Sequence, residues 1–237
     1  MFQRNPLGIA ENLKKIQENI RNVCTNCGRD AQTVRLIAVS KTFGSEEIQE
    51  VVRAGVFDIG ENYVQELAEK RTALPDERIR WHFIGHLQSN KVKYIVEWIH
   101  LIHSVDNEGV AMEIQKRALR LNRTIDILVE VNTSDESSKF GVKPERALDL
   151  LRSISMYPNI RLRGLMTIGP FLPAAEQSRP AFRLLKSIFI EANAGGFLRE
   201  PMQELSMGMT HDYAVAIQEG ATMVRIGTAI FGTRTKA

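Results

Sequence analysis

The residue of this sequence with the clearest chemical potential is Lys41. It closes the segment RLIAVSK at 35–41, an apolar run that ends in a cation, and this pattern predicts a buried strand with a lysine at its C-terminal end. A lysine held among apolar neighbours loses its charge more readily than a solvated one, and its neutral amine is a nucleophile toward carbonyl groups. For a lysine taken alone, the alternative is a solvated side chain just past a strand.

Two segments near the end of the chain have the composition of phosphate-binding loops. Ser206 and Gly208 lie in SMGMT at 206–210, directly before a predicted helix, where backbone N–H groups and neighbouring hydroxyls suit an anion. Gly227 and Thr228 follow the last predicted strand, and a glycine lets the backbone approach an anion closely. Each segment taken alone is also typical of a helix cap or a turn.

Together, the lysine and the two segments describe a ligand with a carbonyl group at one end and a phosphate at the other, and pyridoxal 5′-phosphate (PLP) has both. Arg225, inside the apolar segment 223–226, extends this site because a buried guanidinium needs a partner. One candidate partner is a barrel carboxylate such as Glu130 or Glu61. The other is the pyridine nitrogen of PLP, which would stay unprotonated beside a charged arginine and leave the ring a weaker electron sink.

The elements that must position these residues alternate along the chain after a helix predicted over 7–23. Strands are predicted at 36–40, 56–60, 81–85, 101–105, 125–131, 161–168, 204–207 and 223–226. Helices are predicted at 45–54, 62–71, 89–96, 107–121, 144–156, 176–194 and 210–218. About eight strand–helix units are what a (β/α)₈ TIM barrel needs.

In such a barrel the residues that follow the strands share one face, where chemistry is done. The polar loops at 132–141 and 169–173 would lie on that face, either as part of the site or as long connectors. A doubly wound sheet is the competing fold. It would more naturally carry Gly-x-Gly-x-x-Gly after its first strand, which this chain does not.

The composition is that of an ordinary soluble protein. The 237 residues suit one domain, with an N-terminal helix within 1–30 and a barrel over 35–234. No segment approaches the roughly 18 apolar residues of a membrane span, so we expect a cytoplasmic protein with no membrane partner. The net charge of +3 is spread along the chain, and no nucleic-acid partner is expected. Cys24 and Cys27 form an isolated CxxC, for which we expect no function.

Several motifs of the chain resemble those of the pyridoxal phosphate homeostasis protein family. They are AVSKT at 38–42, FDIGENYVQE at 57–66, WHFIGHLQSNK at 81–91, RGLM at 163–166, LSMGM at 205–209 and MVRIGTAIFG at 223–232. The similarity runs from about residue 35 to residue 234, nearly the whole chain, and the longest motifs are highly specific.

The resemblance implies a single barrel of fold type III, like the N-terminal domain of alanine racemase, with PLP held on Lys41 as an internal aldimine. Arg225 would face the pyridine nitrogen, while Asn62 and His86 would line the pocket. The cofactor-binding residues that the resemblance implies are Lys41, Asn62, His86, Ser206, Gly208, Arg225, Gly227 and Thr228.

The function that the resemblance implies is PLP homeostasis: a non-catalytic protein that buffers or delivers the cofactor and affects amino-acid and keto-acid balance indirectly. Its partners would be PLP, other B6 vitamers and PLP-dependent apo-enzymes, and it would be a monomer. Two enzymes are the alternatives, an amino-acid racemase of the alanine racemase type and a Schiff-base aldolase that uses no PLP. Against the racemase, we expect no room after Gly232, five residues before the end of the sequence, for the β-domain that supplies the second base in alanine racemase.

Overall fold

The computed structural model describes residues 8–134, 136 and 140–232. Within these ranges eight parallel strands form a closed barrel in chain order, with the last strand pairing with the first. The strands are β1 (Arg35–Val39), β2 (Asp58–Glu61), β3 (Arg80–Phe83), β4 (Leu101–Val105), β5 (Ile125–Glu130), β6 (Ile160–Met166), β7 (Glu204–Met209) and β8 (Met223–Ile226). The predicted (β/α)₈ barrel is confirmed.

Helices alternate with the strands, as the sequence predicts, and one further helix precedes β1 and another follows β8. They are α1 (Ile9–Asn26), α2 (Ser45–Arg53), α3 (Val64–Ala73), α4 (Glu108–Arg120), α5 (Pro144–Ser155), α6 (Arg179–Ala194), α7 (Tyr213–Gln218) and α8 (Thr228–Phe231). A 3-10 helix, Ser89–Tyr94, connects β3 to β4 in place of the α-helix predicted there. In the described part of the chain, no helix is both long and apolar enough to cross a membrane.

Apolar side chains pack in two groups, one outside the strands and one inside them. The larger group joins the outward faces of the strands to the surrounding helices, including the α1 residues Leu13, Ile16 and Ile20. The smaller group consists of buried residues from five strands: Ile37, Leu101, Leu128, Met166 and Met223. Because side chains alternate between the two faces of a strand, polar residues in phase with this inner group also point into the barrel.

The helix α1 packs against α2, α7 and α8. The side chain of Asn12 on this helix donates to the carbonyl of Ile230 at 2.9 Å, which ties α1 to the end of the chain that follows β8. Cys24 is buried on α1, and Cys27 is its C-terminal cap. The first seven residues of the predicted N-terminal unit and residues 233–234 of the predicted barrel lie outside the described residues.

One local difference from the sequence prediction that bears on the site concerns β7. The strand continues to Met209 instead of ending at 207, and α7 begins at Tyr213 rather than at residue 210. Gly208 and Met209 therefore extend the strand in which Ser206 was already predicted, and the prediction that a helix begins directly after them, at residue 210, is wrong. The physical reason is that the backbone of β7 stays paired with its neighbours, as at Ser206 with β6 and at Met209 with β8.

Candidate functional site

Lys41 lies in a tight turn that directly follows β1, and it is half-buried. The next residue, Thr42, has φ 70°, a left-handed conformation that residues other than glycine adopt rarely. The N–H of Thr42 donates to Glu66 Oε1 at 2.6 Å. This bond fixes the turn and, with it, the point from which the Lys41 side chain departs.

A buried cluster of charged groups supports this turn from outside β1 and β2. Lys70 of α3 is 6% exposed, and its ammonium donates to the Ser40 carbonyl at 2.8 Å, to Glu61 at 2.6 Å and to Glu66 at 2.7 Å. The Ser40 hydroxyl donates to Glu61 at 2.5 Å. Burial raises the pKa of Glu61 although Lys70 acts in the opposite direction. All three donors of the Lys70 ammonium are engaged, so this lysine belongs to the supporting structure.

Arg225 of β8 is buried inside the barrel, as its place in an apolar segment predicts. Its Nη1 donates to the carbonyl and the hydroxyl of Ser206, each at 2.7 Å, and its Nη2 donates to the Thr167 carbonyl at 2.8 Å. Burial lowers the pKa of Arg225 to about 10, partly offset by Glu130 and Asp212, so the guanidinium stays charged at neutral pH. Among the described residues it forms no ion pair with Glu130, one of the partners considered above.

The hydroxyl of Ser206 is engaged with other protein side chains inside the barrel. Ser206 is fully buried, and besides Arg225 its Oγ contacts His103 Nδ1 at 2.9 Å. Gly208 has φ 89°, and a Cβ there would lie 2.5 Å from the Cβ of Ala216 on α7. This glycine therefore lets α7 pack closely on β7. That Ser206 and Gly208 contact the phosphate stays a prediction.

Gly227 and Thr228 lie beside the end of β1. A Cβ on Gly227 would lie 3.1 Å from the Val39 carbonyl oxygen, and Gly227 is the N-terminal cap of α8, where Thr228 is exposed. The ring of Phe231 on α8 stacks on Phe43, with 4.9 Å between the ring centroids. Through these contacts the segment after β8 is joined to the turn that carries Lys41.

Asn62 and His86 follow β2 and β3 at the same end of the barrel. The Asn62 Oδ1 is buried, and among the described residues it has no hydrogen-bond partner. The ring of His86 stacks on Phe140 with 3.8 Å between centroids, and its Nδ1 lies 3.7 Å from Asp106. Phe140 belongs to the loop predicted at 132–141, whose residues 135 and 137–139 lie outside the described residues.

Sequence reasoning missed two buried polar residues of the strands. They are His82 and His103, which are fully buried inside the barrel. Thr167 follows β6, and its carbonyl accepts from Arg225. Glu130, considered only as an ion-pair partner, is 4% exposed at the end of β5, and burial and Asp106 raise its pKa to about 7 although Arg225 lowers it. The signal for the two histidines was present, since each interrupts an apolar strand.

Comparison with known proteins first identifies the class of protein to which this barrel belongs. The model of the family described as alanine racemase, N-terminal domain, matches residues 12–235. An alanine racemase structure from Clostridium difficile superposes with a TM-score of 0.74 at 15% identity, covering 95% of this chain and 58% of that one, which is a likeness of fold alone.

Closer relatives define the family within this class. A pyridoxal phosphate homeostasis protein from Aquifex aeolicus is 44% identical over 228 residues, covering 96% of this chain and 99% of the relative. The structure of PipY from Synechococcus elongatus with PLP bound has a TM-score of 0.83 and 33% identity, and covers 94% of this chain and 100% of that one. This chain belongs to the pyridoxal phosphate homeostasis protein family, as its motifs predict.

Proposed function

We propose that this protein binds PLP through the amine of Lys41 and holds it without catalysis, in PLP homeostasis. The observation that carries the proposal is that a half-buried lysine follows β1 and a buried arginine lies on the neighbouring strand β8, in a chain of this family. The name of the Aquifex aeolicus relative and the PLP bound to PipY support the choice of cofactor.

The residues of the site fit PLP on two counts. Within the described part of the chain, the Arg225 guanidinium makes three hydrogen bonds and so keeps two of the five N–H donors of an arginine for a ligand. The buried Asn62 Oδ1 is a second polar atom that a bound ligand would satisfy. When bound, PLP supplies a carbonyl carbon that an amine attacks and a ring that accepts electrons.

Each residue then has a separate task. The Lys41 amine forms the covalent link, and Arg225 donates a hydrogen bond to the ring nitrogen while remaining charged itself. Gly227 and Thr228 offer backbone N–H groups and a hydroxyl to the phosphate. In the segment after β7 the hydroxyl available to the phosphate is that of the half-exposed Thr210, since the Ser206 hydroxyl is engaged by Arg225.

Absence of racemisation is part of the proposal. A two-base racemase needs a base on each side of the bound substrate. Tyr94, Tyr157 and Tyr213 contact Lys93, Glu108 and Asn19 respectively. Tyr63, the tyrosine nearest a strand end, is exposed at the N-terminal cap of α3. A ring nitrogen that accepts from a charged arginine is also a weak electron sink. The function that remains is storage and release of PLP.

Absorbance spectroscopy tests the binding proposal. Addition of PLP to the apoprotein should produce a visible band, and borohydride should then fix a pyridoxyl group on the peptide that contains Lys41. Lys41→Ala should fold and lose the band, whereas Lys93→Ala, at an exposed lysine of the 3-10 helix, should keep it. A label on a different lysine would refute the assignment.

Turnover measurements test the non-catalytic part. The holoprotein is incubated with L-alanine and other L-amino acids in deuterated water, and Cα exchange and D-isomer formation are followed. We expect little or no exchange, because a missing general base alone costs about 10²–10⁴-fold in rate. A rate near 1 s⁻¹, ordinary for enzymes, that vanishes in Lys41→Ala would establish the racemase alternative instead.

The proposed partners are PLP, other B6 vitamers and PLP-dependent apo-enzymes, and the proposed state is a monomer. Mixing the holoprotein with an apo-enzyme should restore that enzyme's activity faster than the same concentration of free PLP does, either alone or in the presence of Lys41→Ala. Light scattering of the holoprotein should give the mass of one chain, near 26.8 kDa. A dimer mass would contradict the proposed monomer. A rate of reactivation no faster than that with free PLP would contradict delivery to apo-enzymes.

A further inference from the structure

Four buried side chains on four different strands form one hydrogen-bonded series, here called the interior relay: Asp58, His82, His103 and Ser206. We infer that the interior relay positions the Arg225 guanidinium and fixes the direction of its hydrogen bonds. Residues that do not touch PLP would thereby hold in place the arginine that bonds to the PLP ring. This inference rests on the proposed function only in naming PLP as the ligand that Arg225 meets.

The relay runs across the hollow of the barrel rather than along its wall. His103 of β4 and Ser206 of β7 are in contact at 2.9 Å although their strands are not neighbours in the barrel, so the bond must cross the interior. His103 Nε2 lies 2.9 Å from His82 Nδ1, and both rings are fully buried. The end of the series at Ser206 is the group that Arg225 contacts.

The other end of the relay lies at the start of the strands, away from Lys41. His82 Nε2 lies 2.9 Å from Asp58 Oδ1, and Asp58 is the first residue of β2. Arg80, the first residue of β3, holds the same carboxylate with bonds of 2.8 and 2.5 Å. Although burial raises the pKa of Asp58, hydrogen bonds from Arg80 and His82 lower it well below its usual range, so this end is a fixed negative charge.

The chemistry of the members dictates the direction of every bond. The Asp58 carboxylate is ionised and can only accept, so His82 donates to it from Nε2. In a neutral His82 ring Nδ1 then accepts, so His103 donates to it from Nε2. In a neutral His103 ring Nδ1 in turn accepts from the Ser206 hydroxyl, whose oxygen accepts from Arg225 because arginine has donors only. All the bonds point from Arg225 toward Asp58, with each imidazole neutral.

Burial of the two rings favours this state, since it lowers the pKa of His82 and lowers that of His103 further. A series in which each member is both donor and acceptor admits one arrangement of protons once its two ends are fixed. Here the ends are a cation that cannot accept and an anion that cannot donate. The Ser206 Oγ is thereby presented to Arg225 as an acceptor at all times, and the guanidinium cannot rotate away without leaving that acceptor.

Nuclear magnetic resonance of the ¹⁵N-labelled apoprotein tests the relay without PLP. Between about pH 6 and pH 8, where free histidine titrates, long-range ¹⁵N–¹H correlations should show both His82 and His103 as neutral rings protonated at Nε2. An Nδ1–H ring or an imidazolium at either position would overturn the inference. The same spectra of Asp58→Asn should show a changed Nε2 shift at His103, two residues along the series.

Variants with PLP test the consequence for Arg225. Ser206→Ala and His103→Leu should each weaken PLP binding by about tenfold, the effect of one hydrogen bond to a charged group, and shift the visible band. Both substitutions interrupt the same hydrogen-bonded series. The double variant should therefore bind PLP no more weakly than the weaker-binding single variant. The control is His100→Gln, whose ring packs edge-on against His82 outside the series.

The outcomes separate the two proposals. Additive losses, or a Ser206→Ala variant with wild-type affinity and band position, would overturn the positioning role. A wild-type protein with no visible band would refute PLP binding and leave the tautomer measurement as the test of the relay. Circular dichroism identifies any variant that does not fold. If a variant does not fold, the tautomers of His82 and His103 in the wild-type protein test the relay instead.

Discussion

At the scale of the single residue, the candidate site sets a cation and a carboxyl group in the same closed space. Arg225 remains charged because its pKa, lowered by burial, is still about 10. Glu130 titrates near neutrality because burial and Asp106 oppose its ionisation more than Arg225 favours it, with a pKa of about 7. The apoprotein therefore gains a buried negative charge as the pH rises through the neutral range.

Glu130→Gln should remove a pH dependence of the apoprotein's stability. Since the folded-state pKa of about 7 lies above the ordinary value of 4.5, Glu130 contributes stability that is complete below about pH 4.5 and lost as the pH rises through about 7. The full difference is roughly 3 kcal/mol. Urea unfolding from pH 5 to pH 9 should show wild type losing that stability relative to Glu130→Gln, while Glu50→Gln on the exposed side of α2 tracks wild type. Parallel profiles for wild type and Glu130→Gln would disprove this.

The phosphate contact of Thr228 is a second prediction at this scale. Thr228→Val keeps the shape of the side chain and removes its hydroxyl, so PLP affinity should fall about tenfold. Affinity for pyridoxal, which has no phosphate, should not change. Titrations followed in the visible band measure both, with Thr72→Val on α3 as the control. Equal losses for the two vitamers would place the phosphate elsewhere.

At the scale of the element, the turn after β1 depends on α3. Glu66 on that helix accepts from Thr42 and from Lys70 through the same oxygen. It thus holds a residue in a left-handed conformation next to the reactive lysine, and the cost of that conformation is of order 1–2 kcal/mol.

Glu66→Ala should therefore loosen the Lys41 turn. We expect a loss of stability of about 1–3 kcal/mol, because Lys70 loses one of its buried partners, together with about a tenfold loss of PLP affinity. Glu69→Ala, an exposed change on the same helix, should alter neither. Thermal unfolding and PLP titration measure the two effects. A destabilised variant that binds PLP normally would mean that the turn does not depend on Glu66.

Elements were predictable to different degrees. The bounds of β4 and β8 agree with the sequence prediction because each is an apolar run between clear breaks. The helix α8 was not predicted, since four residues are too few for helical periodicity to register. The end of β7 was placed wrongly, because the strand runs two residues further than predicted, to Met209.

At the scale of the whole molecule, the barrel combines an apolar inner group with a polar series, and only the first could be read from the sequence. The inner face of each strand follows from the alternation of its side chains. The contact between His103 and Ser206 depends on how β4 and β7 face each other across a closed barrel. The pattern of residue types along the chain does not show which residues face each other in this way. The position of Lys41, which depends only on the end of one strand, was correspondingly easier to predict.

Because the interior relay is buried, hydrogen exchange of its ring protons reports how often the barrel opens. The Nε2 proton of His103 lies between the His103 and His82 rings, and both residues are fully buried. In deuterated water this proton should exchange at the rate of global unfolding, in the same class as the slowest backbone amides. The exposed ring of His100 would exchange at once and gives the reference. Exchange of the His103 proton within seconds would mean that the barrel opens locally without unfolding. Water would then reach the buried interior around His103.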